Sequence, residues 1–553
     1  MRPLPREITL VGLASVALAV LMTWPTMRHP ASTVSNDIFD PLAESWIASW
    51  GGHALTAQPG NVFDSNTFWP LANSYAFNDT MLGYAPFALI TGGPSGALVR
   101  YNVLFVLAHA LAFVGAYALA RQLGSRPIGA LVAGAAFAYA PWRLAHAGHL
   151  NILSSGAIPL SLAMLARGHG YGRTGFRAAR VRPGWIVGGA AVAAWQVTLG
   201  FSLAIAFGYL LLLIALIAVV AWFVAGRPPL PRRLLLADLG GGVFLGAVAW
   251  LFAQPYLQVI ADHPEAKRSG AEVAFFSPPV RGFFIAPEQS RLWGHLAAGP
   301  RDGLRWAGEM ALLPGFVVMG LAVVGVIWGS AALRRRLALV AVVLASALLA
   351  LGTTLFDGRY TIGPMQKYLP GWESTRTTGR LVLYTTLALG LLAAYAVTRI
   401  QESASPRRSL ALLVIPALVL AEGLGNVAHP VIPPAPPAVT QARGPVLVLP
   451  TDGPHDSATM LWSTASWQKF VNGTASVEPR QQGEMRRRVA SFPDAASVAY
   501  LQQLGVRTVV LLPGYAFGGP WEGAENRPVT GLPLRREQVT GGDWVYHLDP
   551  RPG

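Results

Sequence analysis

Long apolar runs alternate along this chain with short loops, and nearly every second loop is crowded with arginine. A chain patterned this way cannot bury its apolar surface in one water-soluble core. The runs are close to the ~20 residues that cross a bilayer as a helix. Only 12% of the 553 residues are charged, against roughly 25% in soluble domains. The net charge is +15, and arginine supplies almost all of it, since lysine occurs only at Lys267, Lys367 and Lys469. Arginines placed between apolar spans set membrane orientation, and nothing suggests nucleic-acid readout. With no cysteine, disulfides, thiol nucleophiles and Cys–zinc sites are excluded.

The pattern predicts an all-α polytopic transmembrane bundle of about eleven helices. The expected spans lie near 7–25, 99–120, 127–142, 150–166, 185–199, 202–225, 234–256, 309–329, 337–353, 381–398 and 409–425. The first apolar run, Ile8 to Met22, follows Arg2 and Arg6 and reads as an uncleaved anchor, without a small-x-small cleavage site. With the N-terminus cytoplasmic, the arginine-rich short loops all fall inside: Arg121 and Arg126, Arg167 to Arg182, Arg227 to Arg233, Arg334 to Arg336, and Arg399 to Arg408. Loops 26–98, 257–308 and 354–379 then lie outside. The short piece Met81 to Ile90, ending in Thr91-Gly92-Gly93-Pro94, is too brief to span; it lies at the interface or dips back.

Three regions follow: a transmembrane domain over 1–430, a Pro-rich linker over 431–441, and a small extracytoplasmic α/β domain over 442–553. Val446–Pro450 and Val506–Leu512 read as short buried strands, and Ser491–Leu504 as a helix opening at Asp494.

The first outer loop holds Asp37 and Asp40, then Phe39, Leu42, Trp46 and Trp50 at spacings suited to an amphipathic helix lying on the membrane surface. Asp40 before Pro41 is an N-cap pattern. Asp64 suits an Asx-turn in an aromatic loop. On the outer face Arg143, Lys267, Arg268, Arg376 and Arg380 go against the positive-inside bias; they bind an anionic headgroup, snorkel, or pair with Glu265, Glu272 or Glu373. His146 and His149 could share a helix face, with metal binding the minority reading beside capping or hydrogen bonding. Glu309 opens the eighth expected span, where the helix dipole favours an acid. Asp238 and Glu422 sit near span ends and can reach the interface. No lysine follows a glycine, so there is no phosphate-loop lysine, and no HExxH pattern appears.

Asp40-Pro-Leu-x-x-x-Trp46-x-x-x-Trp50-x-x-His53-Ala-Leu, then Pro59 and Phe63-Asp64-x-Asn66-x-Phe68-x-Pro70, resembles the opening of bacterial GT-C superfamily membrane glycosyltransferases. Pro141-Trp-Arg143-x-x-His146-x-x-His149, Gln254-Pro-Tyr256, Glu309-x-x-Leu-Leu-Pro314-Gly315, Leu369-Pro370 with Arg376 and Arg380, and Val471-Asn-Gly473 continue the likeness in order. The resemblance implies transfer of a sugar from a polyprenyl-phosphate donor to an envelope glycan, lipid or protein acceptor outside the cytoplasmic membrane. It implies an acidic base in the first outer loop, Asp40 by spacing or Asp37 nearby. It makes the outer arginines and Lys267 candidates for the donor phosphate, and Trp46, His53, Asp64, Asn66, His146, His149 and Glu309 candidates for substrate contact. A divalent metal would aid the phosphate leaving group without being required. Two other classes stay open: a transporter or flippase, which predicts polar residues at mid-membrane depth and repeat symmetry, and a non-catalytic envelope-assembly protein.

Overall fold

In a computed structural model, residues 5–89, 92–539 and 541–550 are described, with the side chains of Pro5, Arg6, Ile8 and Pro406–Arg408 excepted. Arg2, Ile90 and Thr91, and the side chains of Arg407 and Arg408, therefore lie outside the described set. The expected spans carry helices α1 (Pro5–Met22), α3 (Gly93–Gln122), α4 (Pro127–Ala138), α5 (Ala157–Gly168), α6 (Pro183–Leu199), α7 (Phe201–Val224), α8 (Arg232–Asp262), α9 (Phe316–Trp328), α10 (Leu333–Ala350), α11 (Val382–Ser403) and α12 (Val414–Glu422), with α2 (Asp40–Ala57) between the first two. Among the described residues, five helical stretches are long and apolar enough to cross a membrane: Gly93–Gln122, Leu150–Gly168, Phe201–Val224, Arg232–Asp262 and Thr378–Ser403. The eighth expected span starts at Phe316, later than the sequence suggested, because Pro314 and the left-handed Gly315 (φ 117°) break the run before it.

The chain forms two compact units. The first takes in Met1–Pro25, Leu104–Phe252 and Lys267–Val427. Its centre is α11, packed against α4, α9 and α10, while α5 packs on α6. The apolar window of Thr378–Ser403 is 94% buried, whereas that of Phe201–Val224 is 17% buried, so α7 presents leucine and valine outward as lipid-facing helices do. Close contact at the centre depends on small residues: a Cβ on Gly325 would run into the Leu392 carbonyl.

The second unit joins Thr26–Val103, Ala253–Ala266 and Ala428–Gly553. Its C-terminal part is a four-stranded sheet of β1 (Val446–Leu449), β2 (Thr508–Leu511), β3 (Leu534–Gln538) and β4 (Trp544–Leu548) in the order β1-β2-β4-β3. β1 and β2 are parallel, β2 and β4 antiparallel, β3 and β4 antiparallel. Helices α13 (Gly453–Ser463), α14 (Arg480–Arg488) and α15 (Ala495–Gln503) complete it. Asp494 opens α15 with a capping box to Ser497.

Within this unit, α13 packs directly on α2. The stretch 431–441 is built in: Val431 bridges Thr33, Ile432 N–H donates to Ser32, and Pro437–Gln441 is helical. Asn36 N–H donates to the Ala428 carbonyl at 2.8 Å. The α2 helix is buried on nearly every side, and Trp46 and Trp50 are 1% and 2% exposed. This corrects the expectation of a surface-lying helix with tryptophans toward headgroups. The loop after α2 and the 3₁₀ stretch Leu82–Leu89 cover the face that periodicity left open.

Candidate functional site

In the second unit, the loop before α2 turns at Asn36, which adopts φ 82°. That turn presents Asp37, whose Oδ1 accepts from Phe39 N–H at 2.8 Å and whose Oδ2 accepts from Asn36 Nδ2 at 2.5 Å. Phe39 occupies the cap position of α2 and Asp40 is the first helical residue, so the expected Asp40 cap is not formed. Asp40 is left to the helix's positive N-terminal end and to other partners. One turn on, Glu44 falls on the same face and is 7% exposed. Glu44, Asp37 and Asp40 all act electrostatically on the Tyr101 hydroxyl, itself fully buried in α3. Asn102 beside it donates to the carbonyls of Thr33 (2.7 Å) and Pro30 (2.9 Å), fixing the loop that carries Asp37. Glu44 and Tyr101 were not singled out in the sequence; the Asp40–Glu44 spacing is the signal that could have found the first.

The remaining candidates of this loop are structural in their contacts. Trp46 Nε1 donates to Asn66 Oδ1 at 2.9 Å, and Asn66 Nδ2 donates to Gln468 O and Ser463 Oγ. Asp64 accepts from Asn73 N–H at 2.8 Å, closing a wider loop than an Asx-turn. His53 stacks on Trp467 with centroids 4.4 Å apart, and burial lowers its pKa.

In the first unit, residues far apart in sequence converge. Arg380 meets Glu309 in a forked pair, Nη2 to Oε1 at 2.5 Å and Nε to Oε2 at 3.1 Å. Glu309 lies in the short helix Ala307–Met310, not at the start of α9. The acid serving the α9 N-terminus is Glu422, buried, accepting from Phe316 N–H (2.8 Å), Val317 N–H (2.9 Å) and Trp293 Nε1 (3.0 Å). Burial would push the Glu309 carboxyl up, but Arg380 and then His146 hold it down at about 2.

His146 lies within 4.0 Å of Glu309 and its ring is 5.4 Å from that of His149. Burial drives the His146 pKa down to about 3, so it is neutral at pH 7, and its Nδ1 has no hydrogen-bond partner among the described residues. The two histidines leave a 3₁₀ turn, Pro141–His146, and do not share an α-helical face. Among the described residues no group of three or more His, Cys, Asp or Glu has metal-holding geometry. Arg143, 2% exposed, donates to Leu153 O (2.9 Å) and Ser155 Oγ (3.2 Å) and forms no ion pair among the described residues. Burial lowers it to about 10, still a cation at pH 7. Glu272 bridges Arg376 at 3.0 Å and Arg268 at 3.3 Å. Burial, then Arg376, depress Arg268, and Arg380 adds to this. Lys267 is exposed. Thus Arg143, Arg268, Arg376 and Arg380 share one neighbourhood with Glu272 and Glu309.

No family model matches this sequence, and no curated protein is similar to it. Solved structures are. Arabinofuranosyltransferase AftD from Mycobacteria aligns over 99% of this chain and 40% of its own, at 14% identity and a TM-score of 0.55. A variant of that enzyme gives 0.57, over 42% of its chain and at the same identity. The fold of this chain is similar to that of the arabinofuranosyltransferase. The archaeal oligosaccharyltransferase AglB from Archaeoglobus fulgidus, solved with an inhibitory peptide and a dolichol-phosphate, aligns more loosely: TM-score 0.44 and 12% identity over 98% of this chain and 74% of its own. This chain spans about two fifths of the length of AftD. With its apolar helices, the fold makes it an integral membrane protein.

Proposed function

We propose that this chain transfers a sugar from a polyprenyl-phosphate donor to an envelope acceptor on the extracytoplasmic face of the bacterial cytoplasmic membrane. The N-terminus is cytoplasmic, the arginine-rich short loops lie inside, and residues 26–98 and 442–553 lie outside, in a topology of about eleven crossings. The observation that supports the reading is the gathering of Arg143, which is buried, with the partly buried Arg268, Arg376 and Arg380 around Glu272 and Glu309.

The charge fits the chemistry. A donor sugar phosphodiester carries one negative charge. As the bond from the anomeric carbon to the phosphate oxygen breaks, the leaving lipid phosphate gains a second. Cations already in place favour that charge in the transition state more than in the ground state. The acceptor hydroxyl oxygen bonds the anomeric carbon and gives its proton to a carboxylate of the α2 loop. Asp40 is the first candidate base and Asp37 the second, with Glu44 close enough to act on the same buried Tyr101.

The test is transfer from polyprenyl-phosphate sugars by purified protein in lipid nanodiscs. Arg380→Gln with Arg376→Gln abolishes transfer, and Asp40→Asn or Asp37→Asn lowers it by about 10²- to 10⁴-fold. Full activity in both aspartate variants would remove the base from this loop. Movement of the intact lipid-linked sugar across the bilayer, without covalent transfer, would replace the enzyme with a flippase.

A further inference from the structure

In the C-terminal part of the second unit, β1 and β2 run parallel as neighbours, so the loops leaving their carboxyl ends open side by side. In α/β sheets that edge is where ligands bind. The loop from β1 brings Asp452 and His455 to the start of α13. Asp452 Oδ1 accepts from His455 N–H at 2.9 Å and from the imidazole Nδ1 at 2.8 Å. The carboxylate thereby fixes the tautomer and leaves Nε2 directed away from it.

The loop from β2 brings Tyr515, 38% exposed, whose ring stands perpendicular to that of His455 at 6.2 Å and lies 6.1 Å from that of Trp462. Phe517 follows, 89% exposed. Leu511 pairs with Trp544, which places the neighbouring Asp543 at the same edge, close enough to act electrostatically on Tyr515. Gly453 at the mouth of the first loop lies against the Phe39 ring, between Asp37 and Asp40 in sequence; a Cβ there would sit 3.2 Å from it.

We infer that this crevice of Asp452, His455, Tyr515 and Asp543, floored by Trp462, binds a neutral polyhydroxylated ligand, an oligosaccharide. Two carboxylates accept from vicinal hydroxyls, the imidazole Nε2 and the phenol complete the polar set, and exposed aromatic rings stack on the apolar faces of sugar rings. Two carboxylates on one edge disfavour an anion. That the occupant is the acceptor of transfer rests on the function proposed above; the binding site itself does not.

The experiment is saturation-transfer NMR on the full-length protein in detergent, with neutral arabinofuranose and mannopyranose hexasaccharides as probes. Saturable transfer to one probe is expected. Tyr515→Ala and His455→Ala should each weaken it at least tenfold. Asp452→Asn, which keeps an N-cap side chain and therefore the helix, should weaken it measurably with no change in melting temperature. Arg380→Gln should bind the probe as wild type does while losing transfer. Absence of binding by both probes, or binding indifferent to Tyr515, His455 and Asp452, overturns the inference and leaves the transferase reading standing. Binding with these dependences in a protein that transfers no sugar keeps the crevice and removes its role as acceptor site.

Discussion

Glu309→Gln is the most revealing single change. The substitution keeps the shape and one acceptor oxygen but removes the charge facing Arg380, which is 20% exposed at its side chain, and the neutral His146 cannot replace it. Leaving one partner of a buried pair uncompensated costs about 3–5 kcal/mol. The carboxyl itself gives a second measure: it is held at about 2 against an ordinary 4.5, which at about 1.4 kcal/mol per pH unit is about 3 kcal/mol. Because the folded-state pKa is the lower one, this stabilisation is complete above about pH 4.5 and fades as the pH falls toward 2. The wild-type advantage should therefore be about 3 kcal/mol at pH 7 and clearly smaller at pH 3. Tryptophan fluorescence during denaturant unfolding in detergent, at both pH values, reads this directly. The double variant Glu309→Gln/Arg380→Gln, which removes both charges, should recover part of the loss. A single variant as stable as wild type at pH 7, or a gap of equal size at pH 3, would refute the argument that the pair is a buried charge compensation.

Three further outcomes are expected. Arg143→Met should leave the melting temperature unchanged or raised, since a buried cation with no acidic partner among the described residues costs more than a methionine of similar volume; if the proposed donor site is right, added polyprenyl phosphate should stabilise the wild type and not this variant. Glu422→Ala should cost about 1–3 kcal/mol in denaturant unfolding, because two backbone N–H groups at the start of α9 lose their acceptor. Gly473→Ala should cost about 1–3 kcal/mol and expose the loop around residue 68 to protease, since a Cβ there would stand 2.5 Å from the Phe68 ring.

The apolar helices and the sheet strands β1 and β2 were legible because each depends on a run of apolar residues and its local boundaries. So was α15, whose cap at Asp494 is written in adjacent residues. The surroundings of α2 were not legible. Periodicity registers one apolar face, but the opposite face of α2 is covered by Asn66, Tyr75 and α13, contributed from as far away as residue 463. The same limit hid Glu422: an acid at a span end looks solvated until the helix start it serves, more than 100 residues earlier, is brought to it. The arginines were legible as an anomaly, each breaking the inside bias, but their convergence around Glu272 and Glu309 needed the fold. Asp40 misled because a cap pattern and a first-turn acid share the same dipeptide, and backbone angles at Phe39 decide between them.

The clasp between Thr33 and Val431 has a consequence for how this protein is made. The ribosome delivers the strand that holds the Asp37 loop about 400 residues after the loop itself. Until residue 432 has left the exit tunnel, the three carboxylates lack the scaffold that aims them. A nascent chain therefore carries the Asp37 loop without this bridge, and split halves would restore it only when produced together.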